Sequence, residues 1–248
     1  SDSYADYRQR GPKIASEYVD GKAIAVKNGA RIEFNSGVGN DHVRIAMDMG
    51  AKVINISVLF KDEQTGAYEP MIAAKIQRIA ELAIVLKSED WKVESEKGPV
   101  KIDSLEDLFD LDKQKAVKLH KAAIIASGIV PQGALKWGVS LEEIMREFGG
   151  GFALTTHVKS IPVGSGLGTS SALGATVLSS LIEFSGQNKT DEMKNLTDGE
   201  KKMLVVARTL FIEQMIGALG GWQDACAIYP VIKLIEADKG EFLPHPPQ

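Results

Sequence analysis

The 248-residue sequence holds one cysteine, Cys226, and four scattered histidines. A lone cysteine closes no internal disulfide, and neither residue type recurs at ligand spacing. A disulfide scaffold and a zinc module are therefore excluded, and a reducing, cytoplasmic setting is expected. Aromatic residues make up only 6% of the chain, too few for a base-stacking surface. No apolar run approaches the roughly 18 residues of a membrane span. The opening SDSYADYRQR lacks the apolar core of a signal peptide. Twenty-nine basic residues against 33 acidic ones leave a net charge of −4, so no basic excess serves nucleic acid or an anionic membrane. There is no internal repeat or low-complexity tract.

What is present is ordinary globular material: 44% hydrophobic and 25% charged residues, enough apolar surface to offset the entropy of ordering. Residues 1–22 read as a polar arm with a surface helix. AIAV and ARIEF flank Asn28-Gly29 and predict a β-hairpin. KVINISVLF predicts a buried strand. The span from Lys87 to Lys118 is dense in both charges and reads as a solvated linker with a surface helix. Lys113 to Ile129 reads as an amphipathic helix stopped by Gly128 and Pro131, and Leu141 to Phe148 as a short helix closed by Gly149–Gly151. FALTTHVKS alternates Phe152, Leu154, Thr156 and Val158 on one face, a half-buried strand. ALGATVLSSLIEF puts Leu173, Val177, Leu178, Leu181 and Ile182 on one helical stripe. A helix over Glu200 to Ile216, a WQDAC loop and a strand in AIYPVIKLIEA follow. The order strand, glycine loop, helix, helix, loop, strand predicts an α/β (α+β two-layer) fold.

The glycine loop carries the chemistry. Gly164, Gly166 and Gly168 alternate with Ser165, Leu167 and Thr169, and Ser170 and Ser171 open the helix. Glycines let backbone approach an anion closely, and a helix N-terminus offers free N–H groups and partial positive charge. The Walker, dinucleotide and hydrolase-elbow patterns all fail here on spacing. Two acids lie downstream. Glu213 sits in the apolar segment TLFIEQMIGAL, where an unpaired carboxylate is costly, so it either reaches solvent or a lysine, or serves as a Mg²⁺ ligand. Asp224 follows Gly220-Gly221-Trp222-Gln223 and is read as a loop acid able to do catalytic work. Trp222 either lines a substrate pocket or packs over the glycine turn, and Cys226 is expected to be a small buried apolar group. Phosphate loop, metal acid and loop aspartate together compose a phosphoryl-transfer site.

PVGSGLGTSSALGA (Pro162–Ala175) resembles the P-x-x-x-G-L-G-S-S-A signature of the GHMP small-molecule kinases, and LFIEQ (Leu210–Gln214) and GGWQD (Gly220–Asp224) stand at the family's distances. The form of these motifs is most similar to the L-fucokinase branch. Ala30-Arg31-Ile32, Asn40-Asp41 and GAKVINISV resemble the family's upstream motifs, so the resemblance spans Gly29 to Ala237. It implies a ribosomal protein S5 domain 2-like N-terminal ATP-binding domain over 23–238, with 239–248 a tail. It also implies a C-terminal ferredoxin-like domain, with a third glycine motif, that this sequence does not contain.

The resemblance further implies an ATP-dependent transfer of the γ-phosphate to a sugar hydroxyl, L-fucose or a related sugar at C1, with ATP and Mg²⁺ as cofactors and a small sugar as substrate; a heptose-phosphate or other kinase of the family and a non-catalytic fragment that keeps only the fold are the alternatives. Pro162, Gly164, Ser165, Gly166, Leu167, Gly168, Thr169, Ser170 and Ser171 would cradle ATP, with Ser170 and Glu213 on the metal. Asp224 would orient or deprotonate the attacking hydroxyl and Arg31 would pair with it. Asp41, Gly221 and Trp222 would contact the sugar.

Overall fold

The structure is a computed structural model that describes residues 3–35, 50–90, 98–159, 161, 168–218, 221–229, 232–241 and 243–246. Its strands are β1 (Ala23–Asn28), β2 (Ala30–Asn35), β3 (Ala51–Val58), β4 (Phe60–Lys61), β5 (Tyr68–Glu69), β6 (Ile72–Ile79), β7 (Ile84–Asp90), β8 (Val100–Ile102), β9 (Gly151–Val158) and β10 (Ile232–Ala237). Its α-helices are α1 (Tyr4–Arg10), α2 (Ser16–Val19), α3 (Leu105–Phe109), α4 (Lys118–Ser127), α5 (Ala134–Trp137), α6 (Leu141–Phe148), α7 (Thr169–Phe184), α8 (Asp191–Lys194), α9 (Asp198–Ile216) and α10 (Trp222–Ala225).

Strands β1-β6-β9-β7-β8 form one mixed sheet, in which only β7 and β9 run parallel. Register sets its apolar face. Ile76 pairs with Leu154, and Leu154 with Leu86, so three fully buried side chains lie in one row across the sheet. Lys75 and Gln77 point to the opposite face and are exposed, which is the period-2 pattern of a sheet covered on one side. The cover is α7, packed on β6 and β1 and flanked by α4 and α9. Phe148, Phe152 and Phe184 close the core with ring centroids 5.8–6.1 Å apart. A second, antiparallel sheet, β10-β3-β2, encloses a smaller core around Val53, Trp222 and Ile235.

Several sequence expectations change here. β1 and β2 are not a hairpin: β1 pairs with β6 and β2 with β3. The chain bends at Gly29 to leave one sheet for the other, and a Cβ there would lie 2.5 Å from the Val58 carbonyl oxygen, so no other residue fits. β3 is half-buried rather than buried, with Val53 and Asn55 inside and Ile54 46% exposed. The charged span 87–118 is no solvated linker. It contributes β7 and β8 to the main sheet, and Leu105 and Leu108 of α3 to its core.

Helix α4 is enclosed almost all round, because even His120 and Lys121 are buried, so its apolar stripe is not the whole of its contact surface. Likewise α7 exceeds its predicted stripe: Ala172, Gly174, Thr176 and Ser180 are buried against neighbouring helices and the sheet, where small side chains allow close approach. α6, capped by Ser140 and Glu143 and closed by Gly149, lies where the sequence places it. The N-terminal arm is docked: Ile14, Ala15 and Tyr18 join the main core.

Candidate functional site

The glycine loop delivers the chain to α7. Gly168 holds φ 63°, a left-handed conformation suited to glycine, and among the described residues no side chain caps the helix. The first-turn N–H groups thus have no described side-chain cap at the positive end of a 16-residue helix. Residues 162–167, and with them Pro162, Gly164, Ser165, Gly166 and Leu167 of the predicted cradle, lie outside the described residues, as does Asp41.

α9 is held in place by a capping box at Thr197 and Glu200 and packs along α7, which brings its last turn to the start of that helix. There the hydroxyls of Ser170 and Ser171 each donate a 2.9 Å hydrogen bond to Oε1 of Glu213. Glu213 is only 2% exposed, and among the described residues no lysine or arginine lies within ion-pair distance of it. Among the described residues this acid is therefore neither a solvated carboxylate nor a lysine's partner. A buried carboxylate with hydroxyl partners and no described counter-charge is the kind of group that a bound cation would satisfy. Its donor set, hydroxyl and carboxylate oxygens beside a phosphate-type helix end, fits a hard divalent cation such as Mg²⁺. Ser171 is 1% exposed and turned to Glu213, while Ser170 keeps an exposed position at the helix mouth.

WQDA is not a loop but the short helix α10, followed by a 3₁₀ turn over Cys226–Ile228. The change has a packing cause. Trp222 and Cys226 are fully buried with Val206 and Leu210 of α9, Val53 of β3 and Ile235 of β10, and a helical turn places both on the same inner side. Trp222 is thus packed in the second core, the packing alternative of the two the sequence leaves open, and Cys226 is the buried apolar group expected. Asp224 stays half-buried at the turn's outer side. Gly221 is buried at the head of this turn.

Around the carbonyls of Gln223 and Tyr229 lies a polar layer that the sequence pattern did not single out. Asn55 Nδ2 donates to the Gln223 carbonyl at 3.2 Å. Lys233, 3% exposed, donates to the Tyr229 carbonyl at 2.7 Å and to Ser57 Oγ at 3.0 Å, and Ser57 Oγ donates to the same carbonyl at 3.1 Å. Asn55 Oδ1 and Gln223 Oε1 are buried with no hydrogen-bond partner among the described residues, so each retains acceptor capacity. The signal was legible as polar residues at inward positions of alternating strands: Asn55 two residues from Val53, and Lys233 two from Ile235. Arg31 lies on β2 opposite Ser57, on the strand that flanks this layer.

This mixed sheet under a helix pair, with a serine-lined helix mouth and a buried glutamate, is the arrangement of a small-molecule kinase domain. Residues 134–229 match the family model for the GHMP kinases N terminal domain. It is 31% identical over 236 residues to the L-fucokinase/L-fucose-1-P guanylyltransferase of Bacteroides fragilis, across 94% of this chain and 22% of that protein. A bifunctional fucokinase/GDP-fucose pyrophosphorylase of Arabidopsis thaliana is 31% identical over 124 residues, 50% of this chain and 10% of that one. Among solved structures, Lactococcus lactis galactokinase complexed with galactose superposes with TM-score 0.57 at 17% identity, over 90% of this chain and 46% of the galactokinase. Methanococcus jannaschii mevalonate kinase gives TM-score 0.53 at 14% identity, over 89% of this chain and 54% of the kinase. These two likenesses establish the shared fold.

Proposed function

We propose that this chain supplies the nucleotide-binding part of an ATP-dependent sugar kinase whose acceptor is L-fucose or a related sugar, phosphorylated at C1. The observation that carries the reading is the buried Glu213 carboxylate, held by Ser170 and Ser171 at the N-terminus of α7 with no counter-cation among the described residues. The similarity to two fucokinase-containing proteins supports the choice of sugar.

Thr169 and Ser170, with the first N–H groups of α7, would take the triphosphate oxygens, where helix polarity favours negative charge. Ser170 and Glu213 would hold Mg²⁺, which when bound neutralises charge on the phosphate oxygens. Asp224 would accept a hydrogen bond from the sugar hydroxyl and orient its oxygen for attack. Asn55, Ser57 and Lys233 would keep the turn that carries it in position. Arg31 would pair with Asp224, and Asp41 and Gly221 would contact the sugar.

A coupled assay of ADP release, run on the full-length protein over a panel of sugars and sugar phosphates, tests the proposal. Sugar-dependent ADP release with L-fucose at the head of the panel is expected, and its absence for every acceptor sinks the reading. A preference for a heptose phosphate would keep the kinase and replace the acceptor. Asp224→Asn should lower kcat on the order of 10²- to 10⁴-fold with the fold intact, and near-normal turnover would reject Asp224 as the orienting group.

A further inference from the structure

A cleft of about 1290 Å³ lies between α1–α2 and the C-terminal ends of α4 and α7. Because α7 is about 24 Å long at 1.5 Å per residue, this cleft stands at the far end of the helix from Ser170. Among the cations that line it, Lys189 is neutralised by Glu17. Arg10, Lys13 and Arg208 have no carboxylate within ion-pair distance among the described residues. Asp6, Glu17 and Glu192 line the same cleft, so its four cations leave a formal charge of +1, and only Glu17 of the three acids is ion-paired to one of those cations among the described residues.

Arg208 is the best defined of the three. It is half-buried, and its Nη1 donates to Gln187 Oε1 at 3.1 Å. That amide is itself fixed, since Gln187 Nε2 donates to the Ser127 carbonyl and to Ser185 Oγ. The neighbouring helix-end carbonyls accept from other donors: Ser127 O from Gln187, and Ser185 O from the Lys13 N–H at 3.3 Å. Of five guanidinium donors, one has an acceptor among the described residues, and that acceptor is neutral. Burial lowers the pKa of Arg208, with no carboxylate acting against that cost. Pro12, Met193 and Leu196 supply an apolar wall to the same cleft.

We infer that this cleft is a second ligand site, distinct from the phosphate turn, that takes a small organic anion: its carboxylate or phosphate group on Arg208, Lys13 and Arg10, its apolar body on Pro12, Met193 and Leu196. Planar guanidinium donors suit either oxyanion. The inference does not depend on the kinase reading.

The test is an NMR titration of the full chain with inorganic phosphate and, separately, with citrate, at ionic strength held constant with sodium chloride. It follows the Arg208 Nε–H and the Gln187 side-chain amide, which report on the cleft and not on the phosphate turn. A saturable shift of both signals is expected, weakened at least about fivefold in Arg208→Gln. Saturation by phosphate alone assigns a phosphoryl ligand, by citrate alone a carboxylate, and by both a general oxyanion site. Lys13→Gln, at an exposed position, gives the same reading on the Gln187 amide if Arg208→Gln fails to fold. No saturable shift with either anion, or equal affinity in wild type and variants, overturns the proposal.

Discussion

Glu213 and His120 are both buried titratable groups, and their surroundings assign them opposite tasks. Glu213 takes two hydroxyl hydrogen bonds and no described cation, so a neutral isostere removes a charge the apo fold does not need. Glu213→Gln should leave the apo melting temperature unchanged or raised. It should weaken Mg-ATP binding on the order of tenfold, about 1.4 kcal/mol, as read by nucleotide-dependent thermal shift. His120 is 2% exposed, its Nε2 2.7 Å from Thr156 Oγ1, and burial pulls its pKa down to about 4. The unfolded histidine binds its proton near pH 6.5, so from there down to about pH 4 the unfolded chain holds more protons and stability falls with pH. Urea midpoints at pH 7 and pH 5 should differ by about 2 kcal/mol from this residue, and His120→Gln should flatten that difference.

Among the elements, α3 shows how a short helix survives inside a charged span. Ser104 caps its start, Leu105 and Leu108 enter the core, and Lys121 of α4 closes its end by donating to the carbonyls of Asp107, Asp110 and Lys113 at 2.6, 3.0 and 3.2 Å. Lys121→Met keeps the volume but leaves those carbonyls without their donor. It should cost about 3 kcal/mol in chemical denaturation, with loss of amide protection first in residues 105–113. The lysine looks like surface charge in KLHKAA; only its position under α3 makes it structural. α10 shows the reverse case, in which glycines signal a loop and packing imposes a helix. Trp222 and Cys226 both face the second core, and a helical turn sets residues four apart on one inner face while keeping the segment short.

For the molecule as a whole, the docking of residues 1–22 matters most. Ile14, Ala15 and Tyr18 lie in the main core, and Tyr18 Oη donates to Glu183 on α7 at 2.8 Å. Tyr7 Oη donates to the carbonyls of Gly128 and Ile129, and its ring stacks on Tyr4 at 6.0 Å. A chain lacking these residues should unfold at lower urea, by about 3 kcal/mol or more from the buried side chains alone. Circular dichroism melts of the two chains check this. A polar arm that merely decorated the surface would leave the midpoint unmoved.

Local pattern alone was enough for much of this protein. The alternation in β9, the capping box and glycine stop of α6, the extent of α9 and the run of hydroxyls at the head of α7 each depend on neighbours in the chain, and all were legible. Buried Glu213 was visible as a charge set in an apolar helix, but whether it met water, a lysine or a pair of serines depends on where α9 crosses α7. Sheet partners were beyond reach for the same reason: Asn28-Gly29 signals a reversal, and nothing local says that β1 and β2 will join different sheets. Burial of Lys121, Lys233 and Trp222 likewise belongs to the assembled layers, because a side chain's surroundings come from segments tens to more than a hundred residues away.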